Sequence, residues 1–183
     1  VTELVRGWFG WDHPRLEKEI RAVSPGADGV TFLPYLNGER TPNLPGGNSV
    51  IQGLNGTNAT PGHLARAAME GATLGLAYGL ERFNALGLKP SEIRLTGGGS
   101  KSAVWREISA DVFGVPVVGL ATAEGAGLGG AIQAARVAGQ GSYEELCDRL
   151  VELDESTRCL PSAENAAMYR EKLKRQTELT TSL

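Results

Sequence analysis

Ile93-Arg-Leu-Thr-Gly-Gly-Gly-Ser-Lys-Ser102 decides the fold of this chain, because a β-prone segment runs directly into three consecutive glycines. An amphipathic helical pattern begins immediately behind them. Residues without Cβ atoms at a strand-to-helix turn allow a ligand to come close to the main chain. The start of the next helix offers unpaired N–H groups and a partial positive charge, which favour phosphate. The stretch predicts either a phosphate-binding turn or a tight turn that needs a positive φ.

Strand and helix patterns alternate on both sides of this turn. Apolar spacing and capping residues predict helices over 2–22 with a break near Asp12, over 61–86, 101–113, 124–138, 142–153 and 163–176, and strands over 30–36, 49–54, 93–96 and 115–120. Strands that alternate with helices indicate an α/β sheet. At 183 residues the chain suits one domain or one large lobe of a longer protein.

The helix predicted over 61–86 carries glycines every four residues, at Gly71, Gly75 and Gly79. Each glycine destabilises a helix by about 1 kcal/mol relative to Ala. We therefore expect close packing of this ridge against a sheet or another helix as compensation. The polar residues of the same helix form one narrow stripe, made of Arg66, Glu70, Thr73 and Glu81.

Composition excludes several classes of function. A net charge of −3 and a pI near 5.5 argue against a nucleic-acid surface. The chain shows neither an apolar run of membrane-spanning length nor a signal peptide, so we expect a cytoplasmic protein with reduced thiols at Cys147 and Cys159. The two histidines, His13 and His63, lie fifty residues apart. No metal-ligand spacing is present, and we predict no metal site.

Three motifs need separate assessment. Residues 125–130 fit the letters G-x-G-x-x-G, but four residues separate them from the strand, and the acidic residues twenty positions on lie in a predicted helix. Residues 95–102 depart from the phosphate-loop pattern G-x-x-x-x-G-K-[ST] at two positions, since Leu95 and Ser100 stand where it requires glycine, so Lys101 is predicted to be a solvated first-turn residue. Glu39 and Arg40 stand in a loop rich in Gly and Pro, where an internal ion pair is the preferred interpretation and a cleft wall the alternative.

Four stretches together resemble the C-terminal half of the FGGY carbohydrate kinases, and within that family the xylulokinase branch. They are, in order, Phe32-Leu-Pro-Tyr-Leu-Asn-Gly-Glu-Arg-Thr-Pro42, then Ser49-x-Ile51-x-Gly53-Leu54 with His63-Leu-x-x-Ala67-Ala-Met-Glu70, then Thr96-Gly-Gly-Gly-Ser-Lys-Ser-x-x-Trp105-Arg-x-x-x-Ala110-Asp111, and Glu124-Gly-Ala-Gly-Leu-Gly-Gly-Ala131. The second stretch reproduces the family's C-terminal signature. The resemblance covers about residues 1–160.

The resemblance implies an α/β lobe of the ribonuclease H-like, actin-like ATPase type that lacks its opening strands. Residues 1–160 would form this partial lobe and 161–183 a helical tail. In such kinases ATP binds mainly to the C-terminal lobe. Gly97, Gly98 and Gly99 map to backbone contacts with adenosine and the α-phosphate, and Ser102 maps to the adenine side. The stretch 124–131 would back the same pocket.

The implied activity is a carbohydrate kinase that uses ATP and Mg²⁺ to convert a ketopentose, D-xylulose, to D-xylulose 5-phosphate. The family's catalytic Asp stands before the stretch present here, so the base is expected outside this chain and the isolated fragment is expected to be inactive. The implied partners are the sugar, ATP and an N-terminal kinase lobe, encoded by the same gene or a separate chain. A homodimer is also compatible with the resemblance, whereas nucleic acid and membrane are not expected.

Three alternatives stay open from the sequence. The first is a kinase for another pentose or a polyol, because most residues that select the sugar lie outside this chain. The second is a non-catalytic nucleotide-binding or interaction module. The third is an NAD-dependent oxidoreductase that would use residues 125–130.

Overall fold

The computed structural model describes residues 1–122 and 124–182. The helices in this part of the chain are α1 (Thr2–Trp8), α2 (His13–Arg21), α3 (Pro61–Ala85), α4 (Ala103–Phe113), α5 (Gly125–Val137), α6 (Tyr143–Leu150) and α7 (Ala163–Thr181). The strands are β1 (Thr31–Leu33), β2 (Val50–Gln52), β3 (Ile93–Leu95), β4 (Val117–Leu120) and β5 (Leu153–Cys159). Every helix and strand predicted from the sequence is present, and β5 is an element that the sequence patterns did not predict.

Capping residues fix where the helices begin. The side chain of Asp12 accepts the N–H of Arg15 at 2.8 Å and so starts α2. Thr60 starts α3 with Pro in its first turn, and Ser142 forms a reciprocal capping box with Glu145 at the start of α6. These contacts satisfy N–H groups that a helix leaves unpaired at its first turn. The predicted caps are therefore confirmed.

The chain divides into two compact units, of which the first comprises residues 1–89, 111–114 and 161–182. In this unit β1 and β2 form an antiparallel pair, and α3 packs against β1, α2 and α7. The core lies around α3 and contains the side chains of Ile20, Phe32, Leu33, Met69, Leu74 and Tyr169. The turn at residues 24–30 joins α2 to β1 and lies against α3.

Of the three regularly spaced glycines of α3, only Gly71 makes the close contact expected of them. A Cβ atom at Gly71 would collide with the carbonyl oxygen of Phe32, so β1 crosses the helix at the distance that only glycine allows. Positions 75 and 79 have no heavy atom within 4 Å of a Cβ atom. The expected close packing is confirmed at Gly71 and wrong at Gly75 and Gly79.

The second unit comprises residues 90–110 and 115–160. Its sheet has the strand order β3-β4-β5, with β3 and β4 parallel and β4 and β5 antiparallel. The core of this unit lies between the sheet and its helices and includes Val104, Ile108, Val117, Val118, Ile132 and Leu146. The parallel pair brings the carboxyl ends of β3 and β4 to the same edge of the sheet.

Three further expectations concern the chain as a whole. Cys147 and Cys159 are free thiols, as predicted. Within 1–122 and 124–182, no helix combines the length and the apolar composition that crossing a bilayer requires. The boundary between a lobe at 1–160 and a tail at 161–183 stays a prediction; α7 extends five residues beyond the predicted helix end at 176 and buries six residues.

Candidate functional site

The turn that follows β3 has a backbone conformation that requires glycine at its first position. Gly97 has φ +82° and ψ −167°, which lies in the region that side chains disfavour. Gly98–Lys101 then form a short 3-10 helix, and Ser102 leads into α4. The N–H groups of Gly98 and Gly99 open this 3-10 helix, where a helix has no acceptor of its own for them.

Two side chains hold the turn in place. Arg106 Nη1 donates to the carbonyl oxygen of Ser100 at 2.6 Å, and its Nε donates to the carbonyl oxygen of Thr157 on β5 at 3.2 Å. Ser102 Oγ accepts the N–H of Trp105 at 3.3 Å at the start of α4. The turn is therefore tied both to the neighbouring helix α4 and to the strand β5.

The three glycines differ in what surrounds them. A Cβ atom at Gly99 would lie 3.2 Å from the ring of Trp105, so this residue rests against the indole. Gly98 is exposed, lacks a positive φ, and has no heavy atom within 4 Å of a Cβ position. Gly98 therefore presents open backbone between two neighbours whose conformations are constrained.

The second glycine-rich stretch adjoins this turn. Gly125 N–H donates to Thr96 Oγ1 at 3.1 Å, and a Cβ atom at Gly125 would lie 2.5 Å from that oxygen. The contact joins the end of β3 to the first residue of α5. The predicted proximity of residues 96–99 and 124–131 is therefore present at Gly125, whereas Gly127, Gly129 and Gly130 lie within α5.

The site at the ends of β3 and β4 offers binding groups rather than reacting groups. It supplies backbone N–H groups, the Ser102 hydroxyl and the first turn of α5. Lys101 is exposed, as predicted for a solvated residue. Among the described residues, no group of three His, Cys, Asp or Glu side chains could hold a metal ion. This arrangement suits an anionic or planar ligand held by main-chain donors.

A search against protein-family models matches residues 12–138 to the C-terminal domain of the FGGY family of carbohydrate kinases. The chain belongs to the FGGY family. The xylulose kinase of Haemophilus influenzae is 47% identical over 159 residues, which cover 87% of this chain and 32% of that protein. The L-fuculokinase of Escherichia coli is 39% identical over 110 residues, covering 60% of this chain and 22% of that protein.

Solved structures of FGGY kinases show the same fold. The ligand-bound xylulose kinase of Lactobacillus acidophilus matches with a TM-score of 0.88 at 24% identity, over 99% of this chain and 38% of that chain. The chain is thus an α/β protein of the actin-like ATPase fold family, as predicted. It spans about a third of the length of the curated relatives it matches.

The FGGY signature residues in this chain hold the 24–30 turn. His63 Nε2 lies 2.9 Å from Asp28 Oδ2. A Cβ atom at Gly53 would lie 2.5 Å from the carbonyl oxygen of Gly29, and Gly53 itself has φ +88°. Asp28 has φ +46°, so its side-chain contact with His63 supports a left-handed backbone. These signature positions have a structural role here.

The last residue of the signature, Glu70, is the centre of a buried polar cluster. Its carboxylate accepts hydrogen bonds from the N–H of Gly26 at 2.9 Å, Arg66 Nε at 2.8 Å, Tyr169 OH at 2.7 Å and Lys172 Nζ at 2.6 Å. The polar stripe predicted on α3 is thus buried at Arg66, Glu70 and Thr73 and exposed at Glu81, and Arg66 and Glu70 contact α7. Charges this deep in a protein require paired, hydrogen-bonded partners.

Burial shifts the ionisation of two members of this cluster. Desolvation, followed by the Glu70 carboxylate, raises the pKa of the Tyr169 hydroxyl above its usual value. Desolvation lowers the pKa of the Lys172 ammonium, while Glu70 opposes that effect. Sequence analysis missed both residues because α7 was identified only as a polar helix. The spacing of Tyr169, Leu173, Gln176 and Thr180 along one face was the available signal.

The loop at residues 37–48 is pinned by a contact other than the predicted ion pair. Glu39 Oε1 accepts the backbone N–H of Arg40 at 2.7 Å and of Thr41 at 3.1 Å. The side chain of Arg40 is exposed and forms no ion pair with Glu39 in the described structure. The expected pinning is present, but it uses the main chain.

The topology disfavours a dinucleotide site at residues 125–130. Such a site needs a second parallel strand after its helix. The strand that follows α5 and α6 is β5, which pairs antiparallel with β4.

Proposed function

We propose that this chain is the nucleotide-binding part of an ATP-dependent kinase that converts D-xylulose to D-xylulose 5-phosphate. The observation that carries the proposal is the open backbone at Gly98, held between constrained neighbours at the carboxyl end of β3. Ligands of open α/β sheets bind at this edge. Membership of a carbohydrate kinase family and 47% identity to a xylulose kinase support the choice of reaction and sugar.

The residues present fit adenosine phosphate. Gly97, Gly98 and Gly99 would contact adenosine and the α-phosphate through the main chain, and Ser102 would lie on the adenine side. The first turn of α5, joined to the turn through Gly125, would form a second wall. The described residues include no acidic cluster for Mg²⁺, so the ion would be held by the nucleotide phosphates and by groups outside this chain.

The proposed reaction is in-line transfer of the γ-phosphoryl group to a sugar hydroxyl. An Asp outside this chain would accept the hydroxyl proton as general base. The chain's own contribution would be the positioning of the nucleotide. This function requires a partner lobe that binds the sugar, and we propose a cytoplasmic location and a homodimer as further properties of the intact enzyme.

A second sugar is supported by one observation. The E. coli L-fuculokinase is 39% identical over 110 residues, a value close to that of several xylulose kinases. We therefore keep kinases for other sugars as the alternative to D-xylulose.

The test is a coupled assay of ADP release by the intact protein with ATP, Mg²⁺ and one sugar at a time. D-Xylulose should give the highest kcat/KM among D-xylulose, L-fuculose, D-gluconate and glycerol. A higher kcat/KM with another sugar would replace D-xylulose and keep the kinase. If the protein binds ATP but releases no ADP in the presence of any of these sugars, the result would support a non-catalytic module and contradict the proposal. The 183-residue chain alone should release no ADP.

A further inference from the structure

The two ends of α3 differ in how far the rest of the structure covers them. The helix packs against α1, α2, β1 and α7, and its buried residues all lie between Gly62 and Ala77. Over 78–85, the last eight residues of this helix, every residue is partly or fully exposed. Because an α-helix rises 1.5 Å per residue, about 12 Å of α3 extends beyond its cover.

The less covered part of α3 nevertheless has an apolar face. Leu76, Leu80 and Phe83 are separated by four and three residues, so they lie on one side of the helix. Leu76 is 60% exposed and Phe83 is 55% exposed, and Leu86, just beyond the helix end, is 78% exposed. Single exposed apolar side chains are ordinary, whereas a contiguous set of them marks an interaction surface. We call Leu76, Gly79, Leu80 and Phe83 the apolar face of α3.

Glycine at position 79 leaves the main chain bare between Leu76 and Phe83. Earlier on the same helix, Gly71 is explained by β1, because the carbonyl oxygen of Phe32 lies 1.9 Å from the position of a Cβ atom. At Gly79, no heavy atom of the described residues lies within 4 Å of that position. A glycine inside a helix costs about 1 kcal/mol relative to Ala. The apolar face therefore has the surface that a close main-chain segment requires, as at Gly71.

We propose that the apolar face of α3 is a docking surface for the part of an FGGY kinase that precedes the matched segment. The matched family model is a C-terminal domain, and the chain covers 32% of the H. influenzae xylulose kinase, so most of that relative lies outside the match. An apolar face suits a permanent contact between two parts of one enzyme, since obligate interfaces are more hydrophobic than transient ones.

The occupant is an apolar strand or helix whose main chain crosses α3 at Gly79. A bulky side chain at this position would hold such a segment away from the helix. The inference rests on the partner lobe that the proposed function requires, and not on the nucleotide site or on the choice of sugar.

The test is photo-crosslinking of the purified intact protein with p-benzoyl-phenylalanine in place of Phe83. The substitution keeps an aromatic ring, and ultraviolet light couples its ketone to neighbouring C–H groups. Mass spectrometry of the crosslinked peptides should identify a segment that precedes the 183-residue stretch, in the same polypeptide or in a partner chain. The matched control is the same substitution at Tyr143 on α6, which is 54% exposed and should give no such crosslink.

Hydroxyl-radical footprinting of the unmodified protein provides a measurement that needs no variant. Phe83 and Tyr143 are almost equally exposed in the described structure. In the intact protein Phe83 should be oxidised several times more slowly than Tyr143, after correction for the intrinsic reactivity of the two rings, because the core of an interface excludes water.

Three results would overturn the inference. They are equal corrected oxidation of Phe83 and Tyr143, crosslinks from position 83 to a second copy of the chain, and crosslinks from position 83 only to residues 1–183 or to nothing. Circular dichroism verifies that the substituted protein is folded, and footprinting decides the matter if it is not. An intact protein that gives the expected crosslink but phosphorylates no sugar would contradict the proposed function and leave this docking surface in place.

Discussion

Lys172 on α7 donates to Glu70 on α3 at 2.6 Å, across 102 residues of sequence, and both side chains are buried. The remaining donors of the Lys172 ammonium reach the carbonyl oxygens of Gly26 at 2.7 Å and Val30 at 2.8 Å. One side chain therefore connects α7 to α3 and to two carbonyl groups of the 24–30 turn. The cluster makes α7 an integral part of the first unit.

Lys172→Met is expected to destabilise the protein by about 3 kcal/mol, because removing one partner of a buried ion pair leaves the other insufficiently compensated. The measurement is urea unfolding followed by circular dichroism. The matched control is Lys174→Met, two residues along the same helix, whose exposed pair with Glu171 should contribute less than about 1 kcal/mol. Equal effects of the two substitutions would contradict the structural role of Lys172.

The raised pKa of the Tyr169 hydroxyl predicts that the protein loses stability at alkaline pH. Its pKa is raised in the folded state, so above pH 10 the unfolded chain loses the phenol proton while the folded chain keeps it. The folded state then binds more protons, and the free energy of unfolding falls as pH rises, by up to about 1.4 kcal/mol per pH unit from this group. At pH values below the pKa that Tyr169 has in the unfolded chain, its contribution to the free energy of unfolding is fully present.

Tyr169→Phe should remove this part of the pH dependence. The substitution lowers stability at pH 7 because the hydrogen bonds to Glu70 and Arg66 are lost, yet it should flatten the decline between pH 10 and 11. Urea unfolding at each pH gives both values. Tyr143→Phe, at an exposed position on α6, should retain the slope of the unmodified protein. An unchanged slope in Tyr169→Phe would show that other groups cause the decline.

Local sequence signals predicted the elements but only part of their packing. The caps at Asp12, Thr60 and Ser142 lie within a few residues of the N–H groups they satisfy, so spacing alone identifies them. The partners of Glu70 come from residues 26 and 172, which no local pattern connects. β5 was missed because its sequence, Leu-Asp-Glu-Ser-Thr-Arg-Cys, is mostly polar and only partly buried. Its pairing with β4 depends on tertiary context.

Gly53→Ala tests whether the FGGY signature is structural in this chain. The new Cβ atom would lie 2.5 Å from the carbonyl oxygen of Gly29, and the backbone would remain at φ +88°. We expect destabilisation by about 2 kcal/mol or more, from steric conflict and left-handed strain. Thermal unfolding provides the measurement. Once folded below its melting temperature, the variant should keep its affinity for ATP.

Gly56→Ala is the control for this substitution. Gly56 lies three residues away, is exposed, and has no heavy atom within 4 Å of a Cβ position. Its melting temperature should stay within a degree or two of the unmodified protein, in line with the small effects typical of exposed sites. If Gly56→Ala lowered the melting temperature as much as Gly53→Ala does, any substitution in this loop would be destabilising and the effect at Gly53 would not be specific.

The open turn at residues 97–99 was predictable because its residues are contiguous, whereas its contact with a nucleotide stays a prediction. Glycines 97–99 follow a strand directly, and that local order specifies an open turn. The hydrogen bonds of Arg106 that hold this turn were not predictable, since its partner Thr157 lies on β5, 51 residues away in sequence. The contact between Thr96 and Gly125 required the parallel register of β3 and β4.

Gly98→Val tests the proposed nucleotide contact with little risk to the fold. No atom lies near the Cβ position, so the valine methyl groups would occupy only the space through which a ligand approaches. In the intact enzyme the Kd for ATP should rise by about tenfold or more, a change of about 1.4 kcal/mol, while the Kd for the sugar stays unchanged. Isothermal titration with ATP and sugar separately measures both. Gly46→Val, at an equally open position outside the site, should alter neither value. Unchanged ATP affinity in Gly98→Val would refute the assignment of this turn to the nucleotide.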